Sequence, residues 1–472
     1  MSLDNIYKRL NMTPENGLCI MRDNRWKGRL PRRLEFLIKD KLKPDAFFIF
    51  DKKPLILFYD SPKNREELFK AVWNFNETPV VIINEADSIE IYNGFSYLEK
   101  ESTLDKLADP DQVTDFSYFE LVTGKSLEFY QTKLKQQNRV DYLLLENIRD
   151  ARKKLIENYP IESSLANALI GKCIFVRYLI DRGVKIEFDG KSRKWNNDEF
   201  CNVLSNKTKL IAFFKYLKEK FNGEAFLQDG NKLHDIPKKA FSVLKDLLQG
   251  TKITSGQQSL FDIYDFSIIP VEFISNVYEF FIGEENQAVK GAYYTPKFLV
   301  DYILTETVEK YFDENSEQYN CNVLDPACGS GIFLVEALRR IIEQYLSLNN
   351  EKITKKVLKR LAEDNIFGID KDENAVNVAI FSIYLALLDY QEPKDIEDFI
   401  FPNLQQNGNF FVADFFDTSA KYNSHFSKIN FDFIIGNPPW KRGAFKEDLF
   451  VQYIEDRRQK ESKELTQNNL DN

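Results

Sequence analysis

A chain of 472 residues has room for about two to four domains, and 43% hydrophobic content lets it bury sizeable cores, which excludes a disordered protein. A net charge of −9 argues against coating nucleic acid by bulk charge, although a local basic cleft stays open. Five scattered cysteines without a Cys-x-x-Cys pair fit a reducing, cytoplasmic compartment, and with only two histidines, His234 and His425, no metal centre is expected. No secretory signal pattern opens the chain. The most apolar helical run, Leu165 to Ile180, is interrupted by Lys172 and Arg177 and is short for a bilayer, so no membrane is expected.

Residues 1–115 read as a small α/β domain. Arg29 to Leu42 has helical spacing. Ala46 to Phe50 and Leu55 to Tyr59 read as paired strands around a turn at Asp51-Lys52-Lys53-Pro54. Glu66 to Trp73 reads as a helix. Val80 to Ile83 and Ser88 to Tyr92 read as a second hairpin, closed by Asn93-Gly94. A strand pair after Pro44-Asp45 invites comparison with PD-(D/E)xK nucleases, which hold a metal through Asp and a following Glu-x-Lys. The second strand here ends Phe58-Tyr59-Asp60-Ser61 without Glu-x-Lys, so the domain is expected to be a nuclease-like remnant or structural, without cleavage activity.

Residues 116–288 read as helical, with apolar residues at three- and four-residue spacing over Tyr118 to Tyr130, Leu143 to Glu157, Leu165 to Asp181, Leu210 to Phe221 and Ala240 to Leu248. Phe175, Tyr178 and Leu179 read as core. Gly250 to Gly256 marks a connector.

In residues 289–472, four apolar strand candidates alternate with helices: Asn322 to Asp325, Asn365 to Asp370, Asn409 to Asp414 and Phe431 to Ile435. The helices are Ile332 to Leu348, Glu373 to Leu388 and Asp395 to Ile400. Such alternation predicts a parallel sheet with crossover helices, a Rossmann-like α/β fold. After the first strand comes Asp325-Pro326-Ala327-Cys328-Gly329-Ser330-Gly331, whose glycines let backbone approach a ligand where a new helix presents unpaired N–H groups. Asp325, Asp370 and Asp414 recur about every 45 positions at strand carboxyl ends. A single Asp there would be read as a cap or turn residue; three in register favour a nucleoside cofactor. Asp370 suits ribose hydroxyls and Asp414 an adenine amine, with Phe415 available to stack.

The fourth strand leads into Gly436-Asn437-Pro438-Pro439-Trp440. Two prolines hold the backbone extended and leave the Pro438 carbonyl free, beside the neutral side-chain oxygen of Asn437. Two fixed acceptors suit a planar NH₂ group. Binding both hydrogens lets the nitrogen pyramidalise and attack an electrophile, so orientation and electrostatics supply the rate. Trp440 is placed to stack on a base turned out of a duplex.

Gly291-Ala-Tyr-Tyr294-Thr295-Pro296, the Asp325 to Gly331 turn, Gly368-Ile-Asp370, Ala413-Asp414-Phe415 and Asn437-Pro-Pro-Trp440 stand in the order of gamma-group amino-methylating DNA methyltransferases. The chain resembles adenine-N6 methyltransferases of restriction-modification systems, both type I modification subunits and Eco57I-like fused enzymes. Tyr264-Asp-Phe-Ser, Ile269-Pro-Val-Glu272 and Val277-Tyr-Glu-Phe280 look like that group's lead-in. The resemblance implies S-adenosylmethionine as cofactor. Tyr294, Thr295 and Pro296 would border its methionine end, and Asp325, Pro326, Ala327, Gly329 and Gly331 would form the main pocket, with Asp370, Asp414 and Phe415 at the nucleoside. Asn437, Pro438, Pro439 and Trp440 would hold the target adenine of double-stranded DNA. Trp440 stands where many relatives have Tyr or Phe.

Only 32 residues follow Trp440, where the family carries about three more strands and a recognition region. The sheet is therefore expected to be incomplete, its C-terminal half missing. Alone, the chain is expected to bind cofactor weakly and methylate poorly, pending a partner that supplies the rest, or a specificity or restriction subunit. Two alternatives stand: methylation of a protein glutamine amide, which poses the same planar NH₂ problem, and a non-catalytic or split-enzyme subunit.

Overall fold

The computed structural model describes residues 2–86, 88–159, 161–221, 232–253, 263–269, 295–349, 352–438 and 449–468. These fall into two units, Met1–Leu210 with Lys232–Phe273, and Ile211–Asn231 with Ile274–Asn472.

In the first unit β1 (Leu18–Ile20), β2 (Ala46–Phe50), β3 (Lys53–Asp60), β4 (Val80–Asn84), β5 (Ile89–Leu98) and β6 (Thr103–Ala108) form one sheet in sequence order. β3 and β4 are parallel because the Arg65–Phe75 helix carries the chain back over the sheet; the other neighbours are antiparallel. That helix buries Phe69, Val72, Trp73 and Phe75. β2 and β4 are covered on both faces, so Phe47-Phe48-Ile49 and Val80 to Ile83 are unbroken apolar runs rather than alternating ones. Asp51 and Lys52 both adopt left-handed φ, 49° and 57°, in a tight two-residue turn matched to the strand twist.

Two local expectations change. Asn93-Gly94 lies inside β5 instead of closing the hairpin. A Cβ on Gly94 would sit 2.1 Å from the Thr78 carbonyl oxygen, so glycine there serves close backbone packing. The stretch Tyr118 to Tyr130 divides into the helices Tyr118–Val122 and Lys125–Phe129, because Gly124 takes φ +79° between them.

The helices Val140–Asn158, Ser163–Asp181, Asn197–Leu204 and Ala240–Leu248 complete this unit. Ser163–Asp181 is its central core helix, and the arginine in its apolar run is paired there. Arg177 bonds Asp181 Oδ1 at 2.8 Å and donates to the carbonyls of Leu248 (2.9 Å) and Tyr264 (3.1 Å). The region read as helical also contains the hairpin β7 (Lys185–Phe188) and β8 (Lys191–Lys194). Its turn is Asp189-Gly190, a strong hairpin dipeptide, with φ 54° and 69°.

The second unit carries β9 (Val323–Asp325), β10 (Ile366–Asp370), β11 (Phe410–Val412) and β12 (Phe433–Ile434), all parallel, in the order β11-β10-β9-β12. The chain builds outward from β9 to β11, then crosses back to put β12 on the other side of β9. That reversal makes the carboxyl ends of β9 and β12 a topological switch point, where open parallel sheets bind ligands. Ile332–Leu348 and Glu373–Asp389 are the long crossover helices, while the expected helix at Asp395 to Ile400 is limited to Pro393–Ile396. Further helices were not predicted, among them Lys297–Leu304, Lys355–Asn365, Lys421–Phe426 and Leu449–Asn468. Lys297–Leu304 starts on Pro296, and Lys355–Asn365 starts on Thr354, whose hydroxyl accepts from the Val357 N–H.

An ion cluster fixes Lys297–Leu304 to Ile332–Leu348. Arg340 bonds Asp301 (3.2 Å), Glu309 (3.0 Å) and Glu336 (3.0 Å). Arg340→Met should keep much of the volume and remove a shared cation from three carboxylates, of which Glu336 retains Arg339 at 3.8 Å. We expect a loss of roughly 2–3 kcal/mol in denaturant unfolding of this unit, below a fully buried pair because Asp301 and Glu309 still reach water.

Candidate active site

The site is assembled from the loops that leave the carboxyl ends of the parallel strands. Asp325 ends β9 and is buried, and its Oδ1 accepts the Ala327 N–H at 3.0 Å, which turns the chain sharply at Pro326. The turn is then stitched to the end of β10. Cys328 N–H donates to the Ile369 carbonyl (2.9 Å) and Gly329 N–H to Asp370 Oδ2 (2.9 Å). Gly331 takes φ +84° as the Ile332–Leu348 helix begins, and a Cβ there would lie 2.8 Å from Ala379 Cβ. Glycine therefore lets this turn pack on the next crossover helix.

Asp370 ends β10. Its Oδ1 accepts the Asp372 N–H at 2.9 Å. Burial pushes its carboxyl above the usual range, although the two backbone N–H donors pull the other way. The Asp370 carbonyl takes the Ala413 N–H at 2.9 Å, tying the loop after β11 to the same rim. Asp414 Oδ1 accepts the Phe416 N–H at 2.9 Å. Phe415 is partly exposed, stacked 9° from parallel on Tyr422 at 6.2 Å, and the Tyr422 hydroxyl donates to the Phe415 carbonyl. Phe416 meets Phe450 and Tyr453 of the Leu449–Asn468 helix at 4.8 and 5.6 Å.

Beyond β12 the backbone runs against Asp325. A Cβ on Gly436 would lie 2.3 Å from Asp325 Oδ1, so this position must be glycine for the two strand ends to meet. One residue on, the Asn437 side-chain NH₂ donates to the buried Thr295 hydroxyl oxygen at 3.1 Å. Pro438 follows, exposed. Thr295, Asp325, Gly436 and Asn437 thus share one corner, and Gly329, Asp370 and the Ala413-Asp414 loop share the adjoining one. Tyr294, Pro439 and Trp440 lie outside the described residues, as do Gly291 to Tyr293 and Pro270 to Phe280. Sequence reading missed the roles of Gly436 and of the Thr295–Asn437 bond. Gly436 carries a local signal, a glycine between an apolar strand and an asparagine; the bond joins positions 142 apart and carries none.

A parallel sheet with crossover helices and a glycine turn after its first strand defines an open α/β fold of the Rossmann-like class. Residues 271–471 match the family described as N-6 DNA Methylase. The chain is similar to the type II restriction enzyme and methyltransferase RM.Eco57I of Escherichia coli, 25% identical over 353 residues, covering 64% of this chain and 34% of that protein. It is also similar to the type I restriction enzyme HindI methylase subunit of Haemophilus influenzae, 29% identical over 174 residues, covering 34% of this chain and 37% of that protein. The chain thus spans about a third of the length of these relatives. Among solved structures, the type IIL restriction-modification enzyme MmeI in complex with DNA aligns at TM-score 0.40 and 15% identity, over 63% of this chain and 43% of that one.

The Gly436 contact gives a direct test. Gly436→Ala puts a methyl into the Asp325 carboxylate and should cost about 1–3 kcal/mol in denaturant unfolding. Gly171→Ala, whose Cβ meets nothing within 4 Å inside the Ser163–Asp181 helix, should be neutral or stabilising by up to ~1 kcal/mol.

Proposed function

We propose that this chain is an adenine-specific DNA methyltransferase of a restriction-modification or phage-defence system, acting on the N6 amine of an adenine turned out of the duplex. The observation that carries the reading is the corner where Asn437 is held by Thr295 beside the Gly436–Asp325 contact, next to the acidic strand ends.

The donor set fits S-adenosylmethionine. Ribose hydroxyls and an adenine amine are donors, and Asp370 and Asp414 are acceptors whose engaged oxygens still have a second lone pair. Asp325, Pro326, Ala327, Gly329 and Gly331 would form the main pocket. Phe415 would cover a base, and Tyr294, Thr295 and Pro296 would border the methionine end. When bound, the cofactor supplies a methyl carbon made electrophilic by its sulfonium. At the amine, the Asn437 side-chain oxygen and the Pro438 carbonyl would each accept one hydrogen, drawing the nitrogen lone pair out of ring conjugation. Trp440 would stack on the flipped base, and Pro439 would keep the corner extended. Neither acceptor takes a proton, so the proton displaced from nitrogen would leave to water. A cytoplasmic setting accords with five buried cysteines that form no disulfide. The amino-terminal sheet is proposed to have a structural or DNA-positioning role.

Incubating the chain, with any subunits that accompany it in purification, with methyl-labelled cofactor and duplex DNA should yield N6-methyladenine. Asn437→Ala should lower that yield by about a hundredfold or more. Label on cytosine, or full activity in Asn437→Ala, would refute the reading. Asp370 adds a pH signature. Its folded pKa is raised, so its charge costs folding stability at neutral pH and that cost is relieved on acidification. Protonation also removes ribose acceptors. Cofactor affinity measured by calorimetry should therefore weaken as pH falls toward the upper edge of the carboxylate range. Asp370→Asn should flatten that dependence and bind more weakly by roughly 1–3 kcal/mol at neutral pH.

A further inference from the structure

We propose that Thr295 is a positioning residue for methyl transfer. Its hydroxyl oxygen fixes the rotation of the Asn437 amide, so that the carbonyl oxygen and not the NH₂ faces the substrate amine. The inference rests on the reading of Asn437 as an acceptor.

An asparagine side chain is ambivalent. Its amide carries two donors and two acceptor lone pairs on one carbon, and a half-turn about the terminal torsion exchanges them. That torsion is broad and roughly two-fold, so nothing intrinsic to asparagine selects a face. An amine approaching the wrong face would bring donor against donor. A corner that must only accept therefore needs an acceptor behind it, on the NH₂ side. Thr295 Oγ1 is placed there, taking the Asn437 NH₂ at 3.1 Å. Planar amide geometry then turns Oδ1 to the opposite side.

Thr295 is itself firmly held. It is 6% exposed, so water competes little for the bond. A β-branched side chain has few χ1 choices. The next residue, Pro296, sits at the start of the Lys297–Leu304 helix, and its carbonyl takes the N–H groups of Leu299 (2.9 Å) and Val300 (3.2 Å). Asp301 of that helix is held by Arg340 on the Ile332–Leu348 helix, which begins at Gly331. From the other side, Asn437 follows the glycine packed on Asp325. Both ends of the bond are thus referenced to the same glycine turn, so the amide is fixed in place as well as in rotation.

Resemblance places Thr295 beside the cofactor, and the two roles separate by measurement. A group acting on the cofactor changes cofactor affinity; a group acting through Asn437 changes turnover. Thr295→Val keeps the shape and removes the acceptor. In the full chain with its accompanying subunits, we expect Thr295→Val to lower kcat at least about tenfold, as misorientation of a reacting group does. Cofactor affinity by calorimetry should fall by less than kcat does, and the melting temperature should drop by no more than a few degrees. Thr295→Ser, which keeps the oxygen, should recover most of the turnover. The Asn437 side-chain amide resonances, assigned by their loss in Asn437→Ala, should shift and exchange faster with water in Thr295→Val and not in Thr295→Ser. Wild-type turnover in Thr295→Val, equal losses in the Val and Ser variants, or a cofactor-affinity loss with the Asn437 amide unmoved would each overturn the inference. If Asn437→Ala is inactive while Thr295→Val is fully active, this inference alone fails. If Asn437→Ala stays active, the reading of the site fails with it.

Discussion

The candidate site depends on one close approach, that of the chain after β12 to the buried Asp325 carboxylate at the end of β9. Parallel pairing of Phe433 and Ile434 with Val323 and Leu324 brings the two strand ends level. The missing side chain at Gly436 lets them touch. Without that contact the Asn-Pro corner and the glycine turn would be separate features of a sheet edge. With it, the Asn437 amide and the Pro438 carbonyl stand one and two residues from the contact with Asp325. The order β11-β10-β9-β12 is what allows it, because the strand across the switch point presents its end on the side of β9 that β10 leaves open.

Holding carboxylates at this rim costs desolvation, and backbone donors offset it. Asp370 receives the Gly329 and Asp372 N–H groups, and Asp414 receives that of Phe416. Even so, burial leaves the Asp370 carboxyl raised. A raised pKa means the charged form is disfavoured here, so a residue selected for stability alone would be neutral. Perturbed carboxyls of this kind concentrate at binding sites. The same donors lock the glycine turn to β10, so each backbone bond that compensates the charge also shapes the loop.

Much of this fold was legible because parallel strands buried on both faces leave short continuous apolar runs, and β9 and β10 end at the Asp that closes each run. Local chemistry that was misread had more than one physical use. Asn93-Gly94 has the composition of a hairpin turn, but Thr78 crowds Gly94 and the residue serves a strand. Asp189-Gly190 has the same composition and is a turn, in a stretch whose surroundings were helical. Period cannot separate those cases; packing decides them. The Lys297–Leu304 helix went unread because it is short and comes directly after a motif whose residues suit a ligand. The Thr295–Asn437 bond has no local signature, since a long-range side-chain contact depends on where the sheet puts both partners.

On the proposed reading, asparagine rather than aspartate at position 437 has a physical rationale near the same contact. A carboxylate there would stand one residue from backbone that already abuts the Asp325 carboxylate. A carboxylate brought close to another is pushed to take up a proton, and it would then be a donor where, in the proposed reaction, the amine needs an acceptor. An amide does not titrate, so it accepts at any physiological pH, but its two faces differ and a free rotor presents either. Neutrality therefore creates the need for a rotational lock, which on the proposed reading the Thr295 oxygen supplies, just ahead of a helix tied through Arg340 to the far side of the glycine turn.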